Sequence, residues 1–162
     1  MSKKRNTSLI VTIAFVGALI FTFFILVPTF ESPSLNDGST LTTQVDRAKL
    51  TVTVARSESS IVNGLAGRAP LGDDQGMYFV YDQPQIPTFW MRGVSFPIDI
   101  IWVRGDTVTE VTPNVPPPAK DATEADLPRY RPSAPVDRVL EVAAGWAARN
   151  NIQPGDPVRL RR

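Results

Sequence analysis

The chain has 162 residues, 43 % hydrophobic and 20 % charged, with 15 prolines, 10 glycines and neither histidine nor cysteine. That length suits one domain of about 100–150 residues with an appendage. Without His and Cys there is no Ser-His-Asp triad, thiol nucleophile, disulfide, haem ligation or usual zinc or iron–sulfur ligand set, and no cofactor is expected. Seventeen basic residues against sixteen acidic ones give a formal charge of +1, without the excess that would predict a nucleic-acid partner.

Leu9 to Val27 form an unbroken run of 19 residues without a charge, interrupted only by two threonines and ended by Pro28. At 1.5 Å per residue such a helix spans roughly 28 Å, close to the hydrocarbon thickness of a bilayer. Lys3, Lys4 and Arg5 precede the run, whereas the next basic residue is Arg47. The positive-inside rule then puts residues 1–8 in the cytoplasm, residues 9–27 across the membrane as a signal anchor, and the rest outside. A cleaved secretory signal is the alternative, but its apolar region is usually about 7–15 residues and ends in a small-x-small site, which PTFESPS does not offer. A buried core helix is the third reading. The lipid bilayer is thus the expected partner of residues 9–27.

Residues 28–48 are polar, rich in Ser, Thr and turn formers, and read as a flexible linker. The folded domain is expected over 49–160. LTVTVA at 50–55 alternates like a half-buried strand, and Ser57 is placed to cap a short helix containing Glu58, Ile61, Val62 and Leu65. GDDQG at 72–76 is a turn, followed by strand candidates MYFVYD at 77–82 and TFWMR at 88–92. IDIIWVR, Gly105-Asp106 and TVTEVT predict a hairpin in which Val103 faces Val108, Ile101 faces Glu110 and Asp99 faces Thr112. Seven of the prolines fall between Pro113 and Pro135, which predicts a surface loop with one helical turn at DATEAD. A strand at 136–142, a short helix at 144–150 and a terminal strand complete the pattern. The fold class is mostly β (α+β): a compact barrel or sandwich with one or two short helices, behind a single transmembrane helix.

GMYFVY (76–81), FWMRGVSFPIDI (89–100), VLEVAAGW (139–146) and NIQPGD (151–156) resemble, in order and spacing, the motifs of the DUF192 (UPF0127) family. The resemblance covers about 50–160. It implies a small exported or membrane-anchored prokaryotic protein with a mostly β fold, and carries no established activity. Two departures limit it: Gly93-Val94 stand where the family commonly has Asn-Thr, and Pro116-Pro117-Pro118 and Pro128-Arg129-Tyr130 stand where many members carry Pro-Cys. No role of that Asn or Cys transfers.

Asp99 interrupts an apolar strand, and a buried carboxylate must be paired or accept several hydrogen bonds. Arg92 and Arg138 are candidate partners; backbone N–H groups are the structural alternative. Glu110, diagonal to Asp99, and Glu141, on a strand face with Val139 and Asp137, supply the other acids of a candidate dyad for glycosidic hydrolysis. Trp90, Met91, Arg92, Asp99 and Trp102, with Phe89, form a candidate binding cluster that reads equally as core. Asp73, Asp74, Asp121, Glu124 and Asp126 lack calcium-loop spacing, so no metal site is expected. Two functions follow: a non-catalytic envelope module that binds a small ligand, a glycan or another envelope protein, and a small carboxylate-dependent hydrolase acting on an envelope glycan.

Overall fold

The computed structural model describes residues 35–161. The anchor expected at 9–27 lies outside the described residues, and among those described no helix is long and apolar enough to cross a membrane. In chain order the elements are β1 (Thr40–Val45), β2 (Ala48–Ala55), α1 (Glu58–Asn63), β3 (Gln75–Gln85), β4 (Ile98–Arg104), β5 (Thr107–Val115), a 3-10 turn (Glu124–Asp126), β6 (Val136–Ala143), α2 (Trp146–Arg149) and β7 (Val158–Arg161).

The strands form one sheet in the order β5-β4-β6-β3-β2-β1-β7. Every pairing is antiparallel except β2 with β3, which the α1 crossover makes parallel. The sheet curls until its two ends meet: Val108 donates to the Asp156 carbonyl at 2.9 Å and Gly155 to the Val108 carbonyl at 2.8 Å, around a bridge between Thr107 and Pro157. Curling removes exposed edges at that end and wraps an inner core. Leu50, Val52, Val54, Tyr78, Ile101, Val103, Leu140 and Val142 fill it, with Val108 and Val158 from the two terminal strands and Trp146 of α2. Alternate residues of the same strands, including Met77, Phe79, Ile100, Trp102 and Val139, pack on the outer face beneath Leu65, Phe89, Met91, Val94 and Phe96. Two apolar faces are why the central strands read as nearly continuous hydrophobic runs.

Several expectations change. The linker expected through residue 48 ends earlier, because Thr40–Val45 is a strand with Leu41, Thr43 and Val45 turned inward between β2 and β7. Asp37, also in that stretch, accepts from the Arg56 and Ser57 amides at 2.7 and 3.0 Å and from the Ser57 and Ser60 hydroxyls. These donors hold its carboxyl well below the usual range, and the Ser57 cap of α1 is as expected. TFWMR is not a strand; only Phe89 bridges, to Tyr130. The β4–β5 hairpin begins as predicted, Val103 opposite Val108, then slips at a bulge so that Trp102 faces Glu110, Ile101 faces Val111 and Ile100 faces Thr112. A second irregularity brings Ile98 opposite Val115, where Pro113 offers no N–H and Asn114 has φ 54°.

Gly76 is needed for close approach. A Cβ there would lie 2.8 Å from the Glu141 carbonyl oxygen and 3.1 Å from Leu50 Cδ1, between two ladders. Gly76→Ala is expected to cost about 1–3 kcal/mol by overpacking, read as a lower urea midpoint at unchanged slope.

Candidate functional site

The two buried acids of the central strands occupy opposite faces. Asp99 pairs with Val142 and Glu141 with Ile100, adjacent rungs of one ladder, so their side chains leave the sheet on different sides. Asp99 is fully buried and accepts three backbone N–H groups, from Asn114 at 2.8 Å, Gly145 at 3.0 Å and Ala147 at 2.9 Å. It joins the irregular end of β5 to the first turn of α2 and supplies the cap that Gly145 has no side chain to provide. The arginines expected beside it are elsewhere. Arg92 faces Glu124 at 3.6 Å, both largely exposed, and Arg138 pairs with Asp137 at 2.8 Å.

Glu141 is only 6 % exposed, and its Oε2 has no hydrogen-bond partner in the protein. Met77 and Ile100 flank it across the ladders. It lines a cavity of about 250 Å³ whose wall includes Ile61, Leu65, Phe79, Tyr81, Phe89 and Trp90, with Asn63, Gln85 and Thr88 as uncharged polar members and no basic residue. Burial among these groups pushes its carboxyl up to about 8, so at neutral pH it holds a proton and offers both an O–H donor and a carbonyl acceptor. Burial also pushes the Tyr81 phenol up, and the Glu141 charge adds to that shift.

The wall is built from distant parts of the chain. β3 sends Phe79 and Tyr81 to the outer face because they alternate with Tyr78 and Val80, which point inward. The Phe89–Tyr130 bridge lays Phe89 edge-on against Phe79, centroids 4.9 Å apart, and against Trp102 at 5.5 Å. Arg129 and Arg92 lie over the Trp90 ring at 4.9 and 5.8 Å and steady it at the rim. α1 closes one side, and its Val62, 49 % exposed, stands at the mouth.

Of the candidate site residues singled out in the sequence, Phe89, Trp90 and Glu141 line this cavity. Met91 is buried in the outer core, and Trp102 is wholly buried with its indole N–H donating to Thr112 Oγ1 at 2.8 Å. Both pack into the core, and neither lines the cavity. Glu110 accepts from the Ser133 amide and hydroxyl at 2.9 and 2.7 Å, on the opposite side of the hairpin from where a dyad with Asp99 requires it. Neither proposed pairing of acids is brought together. Among the described residues no group of three His, Cys, Asp or Glu is placed to hold a metal ion; Asp73 pairs with Arg149, and Asp126 accepts from Thr123. The sequence alone does not mark Tyr81 as a site residue, although its place two residues beyond Phe79 in MYFVYD puts it on the same face of β3 as Phe79 and Met77.

No curated relative matches the chain at a significant level. Among solved structures, a Novosphingobium aromaticivorans DSM 12444 protein of unknown function is 33 % identical, with TM-score 0.63 over 74 % of this chain and 83 % of that one. A Sinorhizobium meliloti 1021 protein provisionally described as a transcription regulator has TM-score 0.68 at 24 % identity, over 77 % of this chain and 96 % of its own, a likeness of fold. The family model DUF192, described as Uncharacterized ACR, matches residues 40–160, from the first residue of β1 into β7, and the chain belongs to that family.

Proposed function

We propose that the domain is a non-catalytic binding module that holds a small, mainly apolar ligand with one polar group in the Glu141 cavity. The observation that carries this reading is the unpartnered Glu141 Oε2 inside an apolar wall. Leaving a buried polar group unsatisfied costs about 1–3 kcal/mol, a cost that an occupant with a complementary group removes. Two-carboxylate hydrolysis needs both acids in one cleft, about 5–10 Å apart. With Asp99 on the other face and Glu110 committed to Ser133, Glu141 lacks a second acid, which disfavours the hydrolase reading.

The proposal includes placement: the 19-residue uncharged run behind Lys3, Lys4 and Arg5 supports a domain tethered outside the membrane. Protease added to intact cells then digests the carboxyl-terminal half; protection until the cells are permeabilised overturns the placement.

Val62→Trp tests the cavity, because its exposed position on α1 lets the larger ring narrow the mouth without entering the core. Fragments that bind the full-length protein by ligand-observed NMR are expected to lose at least about tenfold in affinity with this variant. Fragments indifferent to both Val62→Trp and Glu141→Gln would overturn the assignment.

A further inference from the structure

Building on the cavity-binding reading, we infer that the ligand carries an organic ammonium, seated among the aromatic rings with its charge against Glu141. Three features point the same way. The buried carboxyl has an oxygen without a partner, and no Lys or Arg lines the cavity to supply a counter-charge. The wall presents the rings of Phe79, Tyr81 and Phe89, with Trp90 at the rim, where Arg129 and Arg92 already lie over it. Ring faces attract cations through their quadrupoles, by about 0.5–2 kcal/mol each according to desolvation, and rings grouped with a carboxylate suit an alkylated ammonium better than a hydrated metal ion. Such a cation needs few hydrogen bonds, which matches a wall whose polar side chains besides Glu141 and Tyr81 are uncharged, Gln85 and Thr88 among them.

Binding a cation shifts Glu141 to its ionised form, so uptake is coupled to release of one proton. Tyr81 of β3 is the other titratable group on the wall, β4 presents Ile100, α1 contributes the uncharged Ile61, Val62 and Asn63, and Arg129 and Arg92 stay outside the lining, over Trp90 at the rim. Because burial raises Glu141 to about 8, cation affinity rises with pH up to that value and levels off above it.

Calorimetric titration of the full-length protein compares choline with its uncharged carbon isostere, 3,3-dimethylbutan-1-ol, at pH 6 and pH 9. Choline is expected to bind about 50–100-fold more tightly at pH 9 than at pH 6, while the isostere changes by less than about threefold. Glu141→Gln, which keeps the shape of the side chain, is expected to abolish that pH dependence and weaken choline at pH 9 by at least about 30-fold. Phosphocholine separates two sources of the same cation: retained binding identifies a headgroup, lost binding a free ammonium, and both support the inference. If the isostere binds as tightly as choline at both pH values, the ammonium assignment is overturned while the cavity reading stands. If neither binds and no fragment is sensitive to Val62→Trp, both readings fall.

Discussion

Asp99→Ala is expected to destabilise the domain by about 3–5 kcal/mol, the largest effect of any single truncation considered. The carboxylate is fully buried and satisfies three amides at once, those of Asn114, Gly145 and Ala147. An alanine leaves all three without acceptors in a region closed to water, and each orphaned donor costs about 1–3 kcal/mol before local relaxation. Asp99→Asn keeps the oxygen that serves Asn114 and Gly145 but turns an amide donor toward the Ala147 N–H, so its loss is smaller, about 2 kcal/mol. Urea denaturation measures both totals, and hydrogen exchange at the three amides shows whether the damage is local. A loss below about 1 kcal/mol for Asp99→Ala, with those amides still protected, would falsify the capping role.

The second large effect is a pH profile. Glu141 in the folded protein titrates at about 8, above its ordinary value of 4.5. Between those values the folded state holds a proton that the unfolded chain releases, so stability declines as pH rises through that window and is level outside it. The full span amounts to a penalty on the order of 3–5 kcal/mol at pH 8.5 relative to pH 4. Glu141→Gln removes the penalty, so the variant should match the parent near pH 4 and exceed it by most of that span at pH 8.5. Denaturation midpoints of the two proteins at four pH values decide the matter; parallel curves would mean that the carboxyl is solvated or paired. The same group thus lowers stability in the folded protein, a cost that fits the binding role proposed for Glu141.

Local signals carried much of the fold. The alternation in LTVTVA located β2, and the β-rich, nearly continuous apolar runs MYFVYD and IDIIWVR located the buried half of β3 and β4 with both faces apolar. The Gly-Asp turn set the first rung of the hairpin, and Ser57 set the start of α1. Beyond the first rung the register was not legible. An ideal hairpin has no extra residue, whereas β5 accommodates Thr109 and the Pro113-Asn114 pair in bulges, and that slip moved Glu110 opposite Trp102. β1 was illegible for another reason. TLTTQV has β-branched residues but only two apolar ones, Leu41 and Val45, amid a polar stretch, and it is held because β2 and β7 pair with it and the curled sheet buries those two in the inner core.

For the site, the chain by itself limited the candidate groups to carboxylates, aromatics and arginines, marked Asp99 as a polar break in an apolar strand, and put Glu141 on one strand face with Val139 and Asp137. Which acid caps and which is left unpaired was decided only in three dimensions. Residue parity along β4 and β6 separates Asp99 from Glu141, but the partners that tell them apart, the α2 amides on one side and the α1 and 85–94 wall on the other, come from remote parts of the chain. Periodicity along a strand encodes which face a side chain leaves by. What it meets there depends on loops closing over that face, and no local pattern records their path.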